Sequence, residues 1–215
     1  MLAAIVPVKA LAIAKSRLAN ILSQAERRLL VQTMLADVLH ALVATPAIAR
    51  IGVISADADV LEQARRAGAD MLADQHAELN AALTQAARHY AASGARGVLI
   101  LPADLPLVTP AALAQVITTT GAYGAAIAPA RDGGTNALLV QPPLALPFRF
   151  GPGSLAQHRA AAQAQHLPLR EVHHAGLALD VDWPDDLLLL AERAGTTATQ
   201  QLLRELCVSE RVMCV

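Results

Sequence analysis

Three aspartates carry the chemistry this chain could do, and they occupy two separate stretches. Asp104 lies in VLILPADLPL, residues 98 to 107, where a branched apolar run ends at Pro102 and Pro106 follows. Val98 to Leu101 is too short for a helix and too apolar for an exposed edge, so it predicts a fully buried parallel strand. Asp104 then falls just past its carboxyl end, the edge where open α/β sheets bind ligands. A carboxylate fixed between prolines suits a divalent cation held against a nucleotide phosphate, although a cap in a βα loop fits the same residues. Asp180 and Asp182 alternate about Val181 in LDVDWP, and in a strand both would point to one face. Oxygen ligands from two loops, completed by phosphate oxygens and waters, are what Mg2+ prefers. The plainer alternative is that these aspartates prepare the helix that Pro184 begins.

Two other groups concern anions. The loop VKALAIAKSRL places Lys9, Lys15 and Arg17 after a first strand. It lacks both GxxxxGK[ST] and GxGxxG, the familiar phosphate cradles. Its cations could neutralise a triphosphate, or form a solvated basic loop. DGGTN, residues 132 to 136, and FRFGPGS, residues 148 to 154, combine glycines with the hydroxyls of Thr135 and Ser154 and with Arg149. Glycines allow close backbone approach, and Ser154 at a helix start adds oriented N–H groups suited to an anion. A second anion site would house a phosphorylated acceptor; two turns that need glycine for backbone reasons explain the same residues. His158, His166, His173 and His174 lack metal spacing, no GxSxG elbow is present, and these histidines read as surface or hydrogen-bonded structural residues.

The elements that must position these groups alternate. Ala3 to Val8, Ile51 to Ser55, Asp70 to Leu72 and Val98 to Leu101 read as strands, as do Gly124 to Ala128, Asn136 to Val140, Leu169 to Val172 and Leu177 to Val181. Ser23 and Glu26 form a capping box that opens a helix to about Val43, and Thr109-Pro110 opens another. A short helix ending at Ala67 follows Asp57 and Asp59 at the exit of the second strand, and further helices run from Leu79 to Ala92, Ser154 to Gln165, from Pro184, and over Thr199 to Leu206. Strand and helix alternate for two thirds of the chain, then short antiparallel pieces intervene. One α/β domain over residues 1–215 follows, with a mainly parallel central sheet flanked by helices and a small antiparallel elaboration.

Composition narrows the partners. With 17 basic against 18 acidic side chains in 215 residues, the net charge of −1 leaves no footprint for nucleic acid or a membrane surface. Aromatics are 2%, too few for base-stacking platforms. Pro7 and Lys9 interrupt the apolar start, and no stretch reaches the roughly 18 apolar residues of a membrane span. Cys207 and Cys214 form no CxxC, which fits a reducing compartment, so a cytoplasmic protein is expected. The apolar end LLRELCVSERVMCV could cover a partner subunit, so a homodimer is expected.

Taken together, VPVK…AKSRLA, ELNAAL, LPADLPL, DGGTNALL, FRFGPGSLAQH and LDVDWPDDL resemble the CofC family over nearly the whole chain. The resemblance implies a nucleotide-diphospho-sugar transferase-like fold and transfer of GMP from GTP to a small phosphorylated acid. That acid is 2-phospho-L-lactate, phosphoenolpyruvate or 3-phospho-D-glycerate, on the route to coenzyme F-420. The Ala/Leu-rich composition inclines the choice toward the latter two.

The resemblance also implies residue roles. Asp104 and Asp182 would hold Mg2+, with Asp180 the alternative in the DVD element. Lys9, Lys15 and Arg17 would meet the triphosphate, with Pro102 beside it and Asn80 near guanine and ribose. Thr135, Gly151 and Ser154 would bind the acceptor. Trp183 departs from the family, which more often has Thr there. The alternatives are a MobA-like nucleotidyltransferase with another acceptor, which usually carries LAGGxSxRMGxxK in the first loop, and a nucleotide-binding module without catalysis.

Overall fold

Alternation of side chains along the strands builds two cores on opposite faces of one sheet. In the computed structural model, which describes residues 1–76 and 78–213, the strands are β1 (Leu2–Pro7), β2 (Ile48–Ser55), β3 (Asp70–Ala73), β4 (Gly97–Ile100), β5 (Gly124–Pro129), β6 (Thr135–Gln141) and β7 (Leu169–Glu171). The helices are α1 (Gln24–Val43), α2 (Ala58–Arg66), α3 (Leu79–Ala92), α4 (Pro110–Thr120), α5 (Ser154–Ala164), α6 (Pro184–Glu192), α7 (Ala198–Glu205) and α8 (Val208–Met213). Ala4, Val6, Leu99 and Leu139 enter the core shared with α1, α4 and the C-terminal helices. Ala3, Ile5, Ile100 and Leu138 enter the core shared with α3 and α5. This period of two is what a strand buried on both faces requires.

The sheet order is β3-β2-β1-β4-β6-β5-β7. β1 pairs in parallel with β2 and β4, β2 with β3, and β5 with β7. β6 runs antiparallel to both β4 and β5. The sheet is therefore mostly parallel, but its antiparallel strand lies inside it, between β4 and β5. The carboxyl ends of β1 and β4 lie side by side, with Ile5 opposite Ile100, which brings the loops after them together. β6 enters the sheet from the same edge, because Thr135 lies ahead of Leu138, the partner of Ile100.

Local signals explain the helix boundaries. Ser23 and Glu26 form the reciprocal capping box of α1. Thr109 caps α4 from its side chain, with Pro110 at the first helical position. Gly68, at φ 80°, ends the turn after α2 in the left-handed region.

One predicted element is absent. Residues 177 to 181 are not a strand: a 3₁₀ turn covers Ala175–Leu177, and an extended segment without a ladder follows. Its polar groups go elsewhere, since Asn136 Nδ2 donates to the Leu177 carbonyl and Val181 N donates to the Asp104 carbonyl. No helix among the described residues is long and apolar enough to cross a membrane. Cys207 is a free thiol, and Cys214 lies outside the described residues.

Candidate active site

The site grows from the loop after β1. Lys15 adopts a left-handed backbone (φ 51°) before a 3₁₀ turn at Ser16–Leu18, while Leu11 and Leu18 are buried and anchor the loop. A second anchor is Asp57, whose Oδ2 accepts from Leu11 N at 3.0 Å while its Oδ1 caps α2 through Asp59 N. The Asp57 carboxyl is opposed by burial, yet these amide bonds hold its pKa below the usual carboxylate value.

Lys15 is the centre of the arrangement. Its Nζ donates to Asp104 Oδ2 and to Asp182 Oδ1, each at 2.7 Å, and Arg17 reaches Asp182 Oδ2 at 3.3 Å. Burial alone would lower the Lys15 pKa; the charges of Asp104 and Asp182 outweigh it and raise it. Asp182 is likewise opposed by burial, but Lys15, Arg17 and Lys9 pull its pKa down. Both partners are therefore charged, as a paired buried ion must be.

A cavity of about 470 Å³ opens over this cluster, and Lys9, Lys15, Arg17, Pro102, Asp104 and Asp182 all line it. That volume suits a nucleotide-sized ligand. Asp180 takes another direction: it accepts from Asn136 Nδ2 at 3.3 Å, and burial together with the Asp104 charge raises its pKa. Without the predicted strand, Asp180 and Asp182 do not share one strand face. Among the described residues no group of three or more His, Cys, Asp or Glu is arranged to hold a metal. The donor set still fits Mg2+, which takes one or two carboxylates and completes its shell with substrate phosphates and water. The Lys15 ammonium held by two carboxylates marks where positive charge is favoured.

The glycine-rich segments converge beside the cavity. Ser154 Oγ lies 2.9 Å from Thr135 Oγ1, and Ser154 N donates to the Gly151 carbonyl at 3.1 Å. Gly151 (φ 131°) and Gly153 (φ 67°) form the turn that opens α5. Phe150, which precedes Gly151, lines the cavity. Asn80 grips that residue twice, accepting from Phe150 N at 2.8 Å and donating to its carbonyl at 3.0 Å. The Asn80 amide thus clips the Phe150 segment to α3. Trp183 does not line the cavity. It is exposed, with the Arg17 guanidinium 4.5 Å over its ring.

Three contributors were not singled out by the sequence. Asp57 was legible as a helix cap but not as the anchor of the basic loop. Asp186 is buried and accepts from Asp182 N and Trp183 N at 2.9 and 2.8 Å while pairing with Arg131. The signal was its position three residues after Trp183, where a carboxylate closes a capping box. His158 is fully buried between Arg149 N and Thr135.

Comparison with known proteins gives a consistent picture. Residues 2–212 match the family model for guanylyl transferase, CofC like. A phosphoenolpyruvate guanylyltransferase from Roseiflexus sp. (strain RS-1) is 46% identical over 202 residues, covering 94% of this chain and 90% of that protein. A 2-phospho-L-lactate guanylyltransferase from Methanothermobacter thermautotrophicus is 37% identical over 204 residues, covering 94% and 90%. Among solved structures, a nucleotidyl transferase from the same genus superposes with a TM-score of 0.66 at 16% identity, covering 95% of this chain and 99% of that one. That last likeness speaks for the fold alone.

Proposed function

Because the chain belongs to the CofC-like guanylyl transferase family, we propose that it transfers GMP from GTP to a small phosphorylated acid with release of pyrophosphate. Phosphoenolpyruvate is the acceptor we favour over 2-phospho-L-lactate and 3-phospho-D-glycerate. The relative that carries the phosphoenolpyruvate name at 46% identity, against 37% for the phospholactate one, supports the preference for phosphoenolpyruvate over 2-phospho-L-lactate. The product would serve coenzyme F-420 synthesis, as the family resemblance implies.

The observation that carries the reading is the Lys15 ammonium clamped between Asp104 and Asp182 at the cavity floor. In the proposed reaction an acceptor phosphate oxygen attacks the α-phosphorus of GTP, a phosphoanhydride forms and pyrophosphate leaves. The attacking phosphate has a second pKa of about 6, so it is ionised near neutral pH and needs no general base. What the protein must do is bring two anions together in line and stabilise the charge that develops on the leaving group. Lys9, Lys15 and Arg17 supply positive charge along the triphosphate side. Thr135, Gly151 and Ser154 hold the acid on the other side, and the Asn80 clip fixes the loop between them. Mg2+ would be held by Asp104 and Asp182, with Asp180 nearby, and would neutralise phosphate charge and orient the leaving group.

The test is pyrophosphate release with GTP, Mg2+ and each of the three acids in competition, coupled to the next enzyme so that the phosphoanhydride product is consumed as it forms. Acid-dependent pyrophosphate release, largest with phosphoenolpyruvate, is expected. GTP binding with no pyrophosphate under any acid would make the chain a nucleotide-binding module instead.

A further inference from the structure

The hydroxyls of Thr135 and Ser154 stand at the centre of a closed hydrogen-bond count. His158, in the second turn of α5, is 0% exposed. Its Nε2 lies 2.9 Å from the main-chain nitrogen of Arg149, a group that can only donate. Nε2 must therefore be an acceptor, and the neutral ring carries its proton on Nδ1. The Nδ1–H group faces Thr135 Oγ1 at 3.2 Å and the Ser154 main-chain carbonyl, so this nitrogen donates and cannot take a proton from the threonine. Ser154 Oγ is 2.9 Å from the same oxygen.

The two hydroxyls bring two protons, and one of them bridges the pair. The other cannot go to His158, whose acceptor nitrogen is already occupied. Among the described residues neither hydroxyl has a further partner. One O–H thus remains for a ligand, in a place that is 6% exposed at Thr135 and 1% at Ser154. The ring itself is held, since Phe150 packs edge-on against it at 5.1 Å and Asn80 grips the Phe150 main chain.

We infer that His158 is a positioning residue for the acceptor. By holding the Arg149 amide on one nitrogen and keeping a proton on the other, which faces Thr135, it obliges the Thr135–Ser154 pair to present its remaining proton to an anionic oxygen of the acid. The inference rests on the reading of Thr135 and Ser154 as acceptor ligands. A histidine that bonded the other way would absorb that proton, and the pair would then have nothing to donate. The imidazole also ties the two segments of the acceptor site, since Thr135 begins β6 while Arg149 lies in the segment before α5.

Steady-state kinetics with GTP, Mg2+ and the acid that gives turnover separate this role from a structural one. Loss of one hydrogen bond to a charged group predicts that His158→Phe raises the KM of the acid about tenfold or more and leaves the KM of GTP within about twofold. His158→Gln, which can both accept and donate, recovers the acid KM to within about threefold of wild type. Thr135→Val shows the same split, and the double variant His158→Phe with Thr135→Val is no worse than the poorer single, because one residue acts through the other. Should Thr135→Val raise the acid KM while His158→Phe does not, or should the two effects multiply, the positioning role is overturned and the acceptor site stands. Should Thr135→Val leave the acid KM unchanged, both fall. Nitrogen-15 NMR of the wild-type imidazole near neutral pH checks the tautomer without any variant: protonation on Nδ1 supports the role, and protonation on Nε2 contradicts it.

Discussion

Lys15 Nζ lies 2.7 Å from both Asp104 Oδ2 and Asp182 Oδ1, so a single ammonium joins the loop after the first strand to two carboxylates far along the chain. The lysine side chain is 10% exposed, against 25% and 38% for its partners. A cation so placed favours the charged form of Asp182 and holds the two carboxylates close together. A metal ion held by the same two carboxylates would compete with the ammonium for them, and a lysine released in that way would be free to meet a phosphate.

Replacing Lys15 by Met leaves Asp104 and Asp182 facing each other with Asp180 nearby. Because the aspartates retain solvent contact, the loss of stability is expected at about 1–2 kcal/mol, less than for a fully buried pair. Added Mg2+ should then raise the thermal midpoint of Lys15→Met more than that of the wild type, in which the ammonium competes. Turnover should be lost even where Mg2+ restores stability. Differential scanning fluorimetry with and without Mg2+ measures the first effect, and pyrophosphate release the second.

Asp57 holds the basic loop through Leu11 N and caps α2 through Asp59 N. Asp57→Ala removes both, costing about 1–2 kcal/mol as a lost N-cap does. If the basic loop meets the triphosphate as proposed, the variant should raise the KM of GTP severalfold with little change in kcat, because that loop is no longer pinned. Asp57→Asn, an equally good cap, should recover most of the stability. Chemical denaturation and GTP-dependent kinetics on the two variants check this.

Asp186 positions Asp182 by accepting from Asp182 N and Trp183 N, and its other oxygen pairs with Arg131 in the glycine-rich turn. Asp186→Ala leaves two partly buried main-chain donors without their carboxylate, at a cost of about 1–3 kcal/mol in all, since water can reach this edge of the site. Activity is expected to fall at least as strongly as stability, since Asp182 loses its anchor. Arg131→Ala, which breaks only the partly exposed ion pair, should cost less on both counts. Thermal melts and initial rates for the two variants give the comparison.

The pH dependence of stability carries the signature of His158. Burial, reinforced by the Arg149 charge and opposed by a bond to the Ser154 main chain, holds its pKa down to about 4. The unfolded chain, with an ordinary histidine near 6.5, therefore binds a proton that the fold refuses. This stabilisation is complete above the unfolded pKa and is lost as pH falls from about 6.5 toward 4, by about 2 kcal/mol at pH 5. Urea unfolding at neutral pH and at pH 5 should show that much less pH dependence in His158→Gln than in the wild type.

Much of the frame was legible because local rules act locally. An apolar quartet followed by Pro102 placed Asp104 past a buried strand end, and Ser23 with Glu26 announced α1. The direction of β6 was also open to reading: the five residues between Pro129 and Thr135 are too few for a parallel crossover, so a hairpin was required. Residues 177 to 181 misled because their alternation is that of a strand, while their hydrogen bonds go to Asn136 and the Asp104 carbonyl. Those partners are distant in sequence and leave no periodic trace. The same holds for His158, whose place between Arg149 and Thr135 depends on how the start of β6 and the segment before α5 come together. The three cations, by contrast, were marked by type and position alone, because a strand exit is where the sheet delivers them.

The most direct measurement is a crystal structure of the protein soaked with GTP and Mg2+. The account predicts one metal ion bound to carboxylate oxygens of both Asp104 and Asp182 and to phosphate oxygens, with Lys15 Nζ moved from between the aspartates onto the triphosphate. A metal ion bound elsewhere, with Lys15 still bridging the two carboxylates and the nucleotide away from them, would contradict it.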